Sequence, residues 1–566
     1  MRNKIIIAKR STLALSVILA NSLYAAAPNI GDVIKQVQAP KKLIKKEVKP
    51  LLEIGGVKKY TPMIKDDKSG KRVFVKDFKI EGALHISNKY LQSLISEYKN
   101  KKLTFSELKN ITSIITKEYR DQGYFVARAY LPVQDIKDTT VTIAIIEGNY
   151  GTFKLKNNSL VKDSMVQAML NDAKRDNIVS TNTLERAMLI INDTPGVIVS
   201  GADVLPGKTV GTSDFKITTQ ASNAYDGYIL LDNQGSRYTG KKRLMMGINI
   251  NSPFKLGDKL SLSGLLSNGE NLKNARVAYS LPLMPNGLRG EMSYSNTSYS
   301  LTKEYESLEA KGTAQALDIT LIYPITRTRL ENLNLTLNIA KKYLKDEVQS
   351  TNDITKKNAF VANFGLSYDK NSIFLDFDSQ TTAAITYTLG NLKFENRAKK
   401  SDDEAGANTN GTYSKIGFTL GKKVVLSNTI TLESLFQYQH ALNNKNLDGS
   451  EDFSIGGAYG IKVYPDGELS AENGYLFNIE AKYKFLKKFN GISSQVGIFY
   501  DRGKAYMANN NVGFKDKNLQ DIGIGYYANY KDFFSKVQIA WTANSQSVSS
   551  EPSANSRILF QGGWSF

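Results

Sequence analysis

Lys462 is the one central cation of a long Gly-rich stretch, residues 454–474, reading SIGGAYGIKVYPDGELSAENG. Neither a strand nor a helix period runs through it, and loops of that length are uncommon unless they carry function. It lies between two amphipathic strand patterns, 429–439 and 475–485. A carboxylate suited to meet Lys462 follows. In QVGIFYD, residues 495–501, alternation puts Val496, Ile498 and Tyr500 on one face and Gln495, Gly497, Phe499 and Asp501 on the other. If the first face meets lipid, the second lines a lumen, where an unpaired carboxylate is costly. A loop folded into that lumen would be tethered by a Lys462–Asp501 ion pair.

Bond-making chemistry has little to work with. The chain has no cysteine, which excludes disulfides, thiolate metal sites and Cys nucleophiles, and its only histidines are His85 and His440. Gly201 to Thr209 (GADVLPGKT) approaches a phosphate-binding loop, but the spacing to Gly207 is one residue too long and a strand pattern follows where a helix is needed. It is read as a turn. No catalytic, cofactor-binding or metal-ligating residue is predicted, and no enzyme. The charge of +20, from 74 Lys+Arg against 54 Asp+Glu, is spread along the whole chain. Without a basic patch interleaved with aromatics, nucleic acid is not an expected partner.

The elements that would position the loop begin with an export signal over residues 1–27. Arg2, Lys4, Lys9 and Arg10 precede an apolar run over 13–23, and Ala25, Ala26 and Ala27 offer a cleavage site. No later stretch approaches the ~20 apolar residues of a membrane helix, which leaves a membrane barrel open. In 28–40, Ile30, Val33, Ile34 and Val37 recur at helical spacing. Residues 41–70 are basic and broken by Pro50, Gly55, Gly56, Pro62 and Gly70, as a flexible linker is.

Residues 71–217 read as two α+β modules of the same element order, β-α-α-β-β. In the first, a strand over 73–81 precedes a helix capped by Ser87 and running to about Tyr98. A second helix is capped by Thr104, with Glu107 completing a capping box, and strands over 124–131 and 139–146 follow. In the second, a strand over 152–156, helices over 161–170 and 181–191, and strands over 197–204 and 209–217 repeat the order. An exposed sheet edge in such a module can pair with an extended polypeptide through main-chain hydrogen bonds.

From Tyr228, within a barrel domain read over 218–566, the helical period disappears. Sixteen amphipathic segments of ~8–12 residues follow, the eighth and ninth starting near Phe360 and Ile373, as an all-β transmembrane barrel of about 16 antiparallel strands requires. On the last, Ile558, Phe560, Trp564 and Phe566 share one parity, suiting a lipid-facing aromatic row.

These residues carry a resemblance. Leu231 to Gly235 (LDNQG) with Thr239-Gly240, Tyr279 to Leu283 (YSLPL), and Pro206-Gly207 with Gly211 to Asp214 are similar to segments of the outer-membrane transporters of two-partner secretion, the TpsB family. The most specific match is Ser454-Ile455-Gly456-Gly457 leading to Gly460-Ile461-Lys462-Val463-Tyr464-Pro465, which resembles that superfamily's pore-loop motif. The family usually has Arg at Lys462 and Gly at Val463. Phe499, Asp501 and Gly503 resemble the strand motif that holds the loop, and Trp564 with Phe566 the assembly signal of Gram-negative outer-membrane barrels.

The resemblance implies a plug helix (28–40), a linker (41–70), POTRA domains over 71–147 and 148–217, and a barrel over 218–566 with the inserted loop 454–474. It implies an outer-membrane pore, with its POTRA domains in the periplasm, that exports an unfolded partner exoprotein without ATP. An adhesin, haemolysin or contact-dependent toxin is the expected partner, beside outer-membrane lipid and the barrel-assembly machinery. Two alternatives stand: a barrel-assembly insertase, and a passive porin for small solutes.

Overall fold

The computed structural model describes residues 28–37, 54–55, 72–136, 138–510, 514–552 and 554–566. The expected export signal, most of the linker and the end of the expected plug helix lie outside them.

Each module folds because its helices bury one stripe against a small sheet. In the first, Asp77–Glu81 pairs in parallel with Thr140–Ile146, which pairs antiparallel with Arg128–Tyr130. Helix Phe105–Asp121 packs Leu108, Ile111, Ile115 and Tyr119 into the core. Its start is set by Thr104, whose hydroxyl accepts the Glu107 N–H while the Glu107 carboxylate accepts the Thr104 N–H. A cap of this kind contributes about 1 kcal/mol. Ser87 caps the short helix Asn88–Leu94, and a 3-10 turn, Ser96–Tyr98, follows.

Two expectations are corrected here. The strand read over 73–81 is two strands, because Arg72–Val75 leaves the sheet to pair with Lys101–Thr104, a strand with no sequence signal. The strand read over 124–131 shortens to Arg128–Tyr130.

The second module packs helices Asp163–Asp172 and Thr181–Asp193 on a sheet of Asn149–Asn158, Thr212–Gln220 and Ile198–Pro206. Gly201 to Pro206, read as part of a turn, continues the last of these strands. That strand's outer edge is taken by Ile54–Gly55 in parallel pairing with Ala202 and Asp203. The module rests on the near rim of the barrel. Arg186 donates to the carbonyls of Pro324 at 2.6 Å and Asn286 at 3.3 Å, and Arg327 pairs with Asp193 at 2.6 Å.

The remainder closes into one barrel of sixteen antiparallel strands, from Tyr225–Asp232 round to Ser556–Ser565. The first and last strands pair from Tyr228↔Ser565 to Asp232↔Gln561, and Gly227 and Phe566 exchange main-chain hydrogen bonds at 3.0 and 3.1 Å. Four strands far exceed the expected length: Ala310–Arg327, Glu331–Val348, Asp353–Phe374 and Phe377–Phe394 span 18, 18, 22 and 18 residues. Ile373 therefore ends one strand and does not start the next. The connection is a two-residue turn, Leu375–Asp376, with both φ values positive (48° and 65°), the geometry hairpin twist favours.

Candidate functional site

The segment between strands Ile430–Ala441 and Asn473–Lys484 turns back into the barrel. It starts at Leu442, earlier than the loop read from the sequence, and its inner part is closed by a short ladder of Phe453–Ser454 against Ser470–Ala471. Beyond that ladder Ile455, Ile461, Val463 and Tyr464 are buried against Leu476, Phe499 and Leu519 of the wall. An apolar tip wedged on an inward-facing wall needs its main chain satisfied internally. It is: Gly457 donates to the Tyr464 carbonyl at 2.9 Å, Gly460 to Gly457 at 3.0 Å and Ile461 to Ile455 at 2.8 Å. Gly457 has φ of +90°, and a side chain there would run into the Asp466 carboxylate. Gly456 bridges to Ile461, and Pro465 accepts the Glu468 N–H at 3.2 Å.

Lys462 and Asp501 are brought together. The ammonium lies 2.6 Å from Asp501 Oδ2, with side chains 11 % and 0 % exposed, and 4.2 Å above the Phe499 ring centroid. Asp501 Oδ1 is taken by the Asn478 amide at 2.7 Å, and that amide also donates to the Gly460 carbonyl at 3.0 Å. An arginine at position 462 would therefore have to displace Asn478 to bind both oxygens, whereas a lysine needs only one. Gly503 continues the same inward face, with the Ile461 side chain passing over it.

Sequence reasoning missed a second carboxylate. Asp521 stands directly opposite Asp501 in register, is fully buried, and accepts the Val463 N–H at 2.7 Å. The parity argument that placed Asp501 would have found it, since Ile522, Ile524 and Tyr526 point outward on the same strand. Tyr464 completes the dock: its hydroxyl donates to the Gln546 carbonyl at 2.7 Å and its own carbonyl accepts from Arg557 at 3.0 Å.

Helix Ile30–Lys35 lies in the same lumen. Ile30 and Val33 are fully buried among inward-facing Leu230, Met245, Leu265 and Tyr299. Its first amide, from Ile30, donates to Asp346 at 2.8 Å. At its other end Arg243 donates to the Gln36 carbonyl at 2.9 Å while its Nε and Nη2 hold Asp232 at 2.8 and 3.0 Å. Among the described residues, two pieces of the chain thus occupy the pore from within.

Trp564 and Phe566 sit away from this site, on the outer face. They are 36 % and 40 % exposed, their rings 4.6 Å apart, with the Phe566 ring against Gly227 at the seam.

In the first module, Glu147 collects four donors: the Leu84 and His85 amides at 2.8 and 2.9 Å, the Tyr119 hydroxyl at 2.8 Å and His85 Nδ1 at 2.6 Å. Burial alone would raise its carboxyl, but the hydrogen bonds from His85, Leu84 and Tyr119 outweigh it and hold the group below the usual glutamate value.

A closed sixteen-strand barrel, occluded by an inward loop and carrying α/β modules at one rim, defines an outer-membrane transporter with periplasmic POTRA architecture. The comparisons name the family. Residues 211–526 match the haemolysin secretion/activation protein family ShlB/FhaC/HecB, and residues 73–148 match the ShlB-type POTRA domain. The chain belongs to the ShlB/FhaC/HecB family. It is similar to the heme/hemopexin transporter protein HuxB of Haemophilus influenzae strain 86-028NP, 27% identical over 524 residues covering 91% of each chain. It is also similar to the outer membrane transporter CdiB of Escherichia coli, 24% identical over 207 residues, 36% of this chain and 35% of that one. The solved structure of CdiB from Escherichia coli superposes with a TM-score of 0.73 at 17% identity, covering 91% of this chain and 94% of that one.

Proposed function

We propose that this transporter takes one large exoprotein, unfolded, from its periplasmic modules through the barrel to the cell surface. The observation that carries the reading is the filled lumen. A static porin has no use for a pore occupied by its own helix and by a loop whose tip is held through a buried ion pair, whereas a transporter that opens for a chain does. Residues 148–217 act as a second POTRA domain, and residues 28–40 as a plug at the end of the 41–70 linker. The edge of strand Ile198–Pro206 already accepts one extended segment, Ile54–Gly55, so it is built to pair with an extended chain.

Gly456, Gly457, Gly460, Lys462, Tyr464 and Pro465 form the movable pore loop, and Phe499, Asp501 and Gly503 its dock. Folding of the exported chain outside the cell supplies direction. The description of HuxB as a heme/hemopexin transporter makes a heme/hemopexin-related exoprotein the first partner to test, before an adhesin or toxin. Secretion of that partner, co-expressed from the neighbouring reading frame, should depend on this chain. A well-folded barrel that secretes no candidate while its absence depletes other outer-membrane barrels would point to an insertase instead.

The aromatic outer face meets outer-membrane lipid, and Trp564 with Phe566 address the chain to the barrel-assembly machinery. Deleting Phe566 removes both an assembly handle and the seam hydrogen bonds to Gly227. The heat-modifiable fraction on a semi-native gel is expected to fall at least fivefold; an unchanged fraction would remove the role.

A further inference from the structure

The inward segment is held at a second place, nearer its origin and on another part of the wall. In the 3-10 turn Gly449–Glu451, Glu451 meets Lys342 at 2.7 Å through Oε1 and Lys415 at 3.0 Å through Oε2, and Lys415 also donates to the Glu451 carbonyl at 2.6 Å. Asp448, one residue before the turn, pairs with Lys357. The side chains of Asp448, Glu451 and Lys357 are all 8 % exposed or less. The three lysines come from three strands, Glu331–Val348, Asp353–Phe374 and Gly411–Val425, so the turn gathers cations that would otherwise repel one another inside the barrel.

The helix in the lumen sits directly on this turn. A methyl group at Gly31 would overlap the Ser450 nitrogen and lie 2.8 Å from the Gly449 carbonyl carbon. The next contact is Ile30 N–H to Asp346, on the same strand as Lys342. By contrast the loop tip makes its ionic and polar contacts through Gly460, Lys462, Val463 and Tyr464, on the far side of the Phe453–Ser454 ladder.

We propose that the Asp448–Glu451 turn, clamped by Lys342, Lys357 and Lys415, is the seat of the plug helix, and that plug retention is set there and not by the Lys462–Asp501 tether. The proposal rests on reading the helix as a displaceable plug, but its test needs no partner, so it stands or falls apart from secretion. Neutralising the turn removes the ionic partner that Lys342, Lys357 and Lys415 share with it, the turn leaves the wall, and the surface under Gly31 is lost. Loosening the tip leaves that surface intact.

The chain is free of cysteine, so Val33→Cys, at a fully buried plug position, gives a single reporter. The rate of labelling by a membrane-impermeant maleimide is measured on the full-length protein in liposomes, in four backgrounds: otherwise unchanged, Gly31→Ala, Asp448→Asn with Glu451→Gln, and Asp501→Asn. Labelling is expected to rise at least tenfold with Gly31→Ala and with the double neutralisation, and to stay within twofold of the parent with Asp501→Asn. Equal release by Asp501→Asn, or continued protection with Gly31→Ala, overturns the proposal. Where the double variant loses heat-modifiability and so has not folded, Gly31→Ala decides alone, because it alters no wall residue.

Discussion

Asp501→Ala is expected to cut partner secretion at least tenfold while the barrel reaches the membrane at its normal level. Asp501 is wholly buried and holds Lys462 at 2.6 Å and Asn478 at 2.7 Å. Removing one member of such a pair strands the other charge, which costs about 3–5 kcal/mol. At about 1.4 kcal/mol per factor of ten, the docked tip would lose roughly two to three and a half factors of ten in population over the freed one. The released tip exposes the bond after Lys462, so trypsin added to intact cells should cut there in the variant and not in the parent. Replacing both partners by apolar residues, Lys462→Met with Asp501→Leu, removes the stranded charge and is expected to bring secretion back toward the parental level. Secretion that persists at parental level in a cell whose loop is cleaved would show that the tether has no part in export.

What the sequence revealed divides along physical lines. Signals that depend on neighbours in the chain were legible: the Thr104–Glu107 capping box, and the outward row Ile558, Phe560, Trp564 and Phe566. Sixteen strands were countable because a lipid-facing surface enforces a period of two. The break near Ile373 was misplaced because hairpin turns with two positive φ values are usually announced by Gly or Asn, and this one is Leu375–Asp376. The Lys462–Asp501 contact could be inferred because one cation and one inward carboxylate stood out. The clamp on Glu451 could not, since Lys342 and Lys415 are ordinary lysines on different strands until the path of the loop brings a carboxylate between them. Nor does a six-residue helix show in its pattern whether it is docked; Ile30 and Val33 would read the same on a free segment.

Glu147→Ala is expected to lower the melting temperature of the periplasmic modules by roughly 12–24 °C. The carboxylate serves two main-chain amides, the Tyr119 hydroxyl and His85, and sits at only 7 % exposure. Alanine leaves those donors without an acceptor, with a loss of about 3 kcal/mol, and a domain of this size shifts by about 4–8 °C per kcal/mol. Circular dichroism at the helical minimum is weighted toward the modules within the intact protein, because most of the α-helical residues described lie there. The same side chain fixes the sign of the acid response. Its folded pKa lies below the usual glutamate value, so its contribution is complete at neutral pH and above about 4.3, where the unfolded carboxyl titrates. It is lost as pH falls from there through the lower folded value, since the unfolded chain takes up the proton first. The parent should therefore lose melting temperature more steeply than the variant below that point. Parallel acid slopes in the two proteins would show that Glu147 is not the group being protonated. Matching losses of module stability and of secretion at growth temperature in Glu147→Ala would tie export to a folded first POTRA domain, with the pore itself untouched.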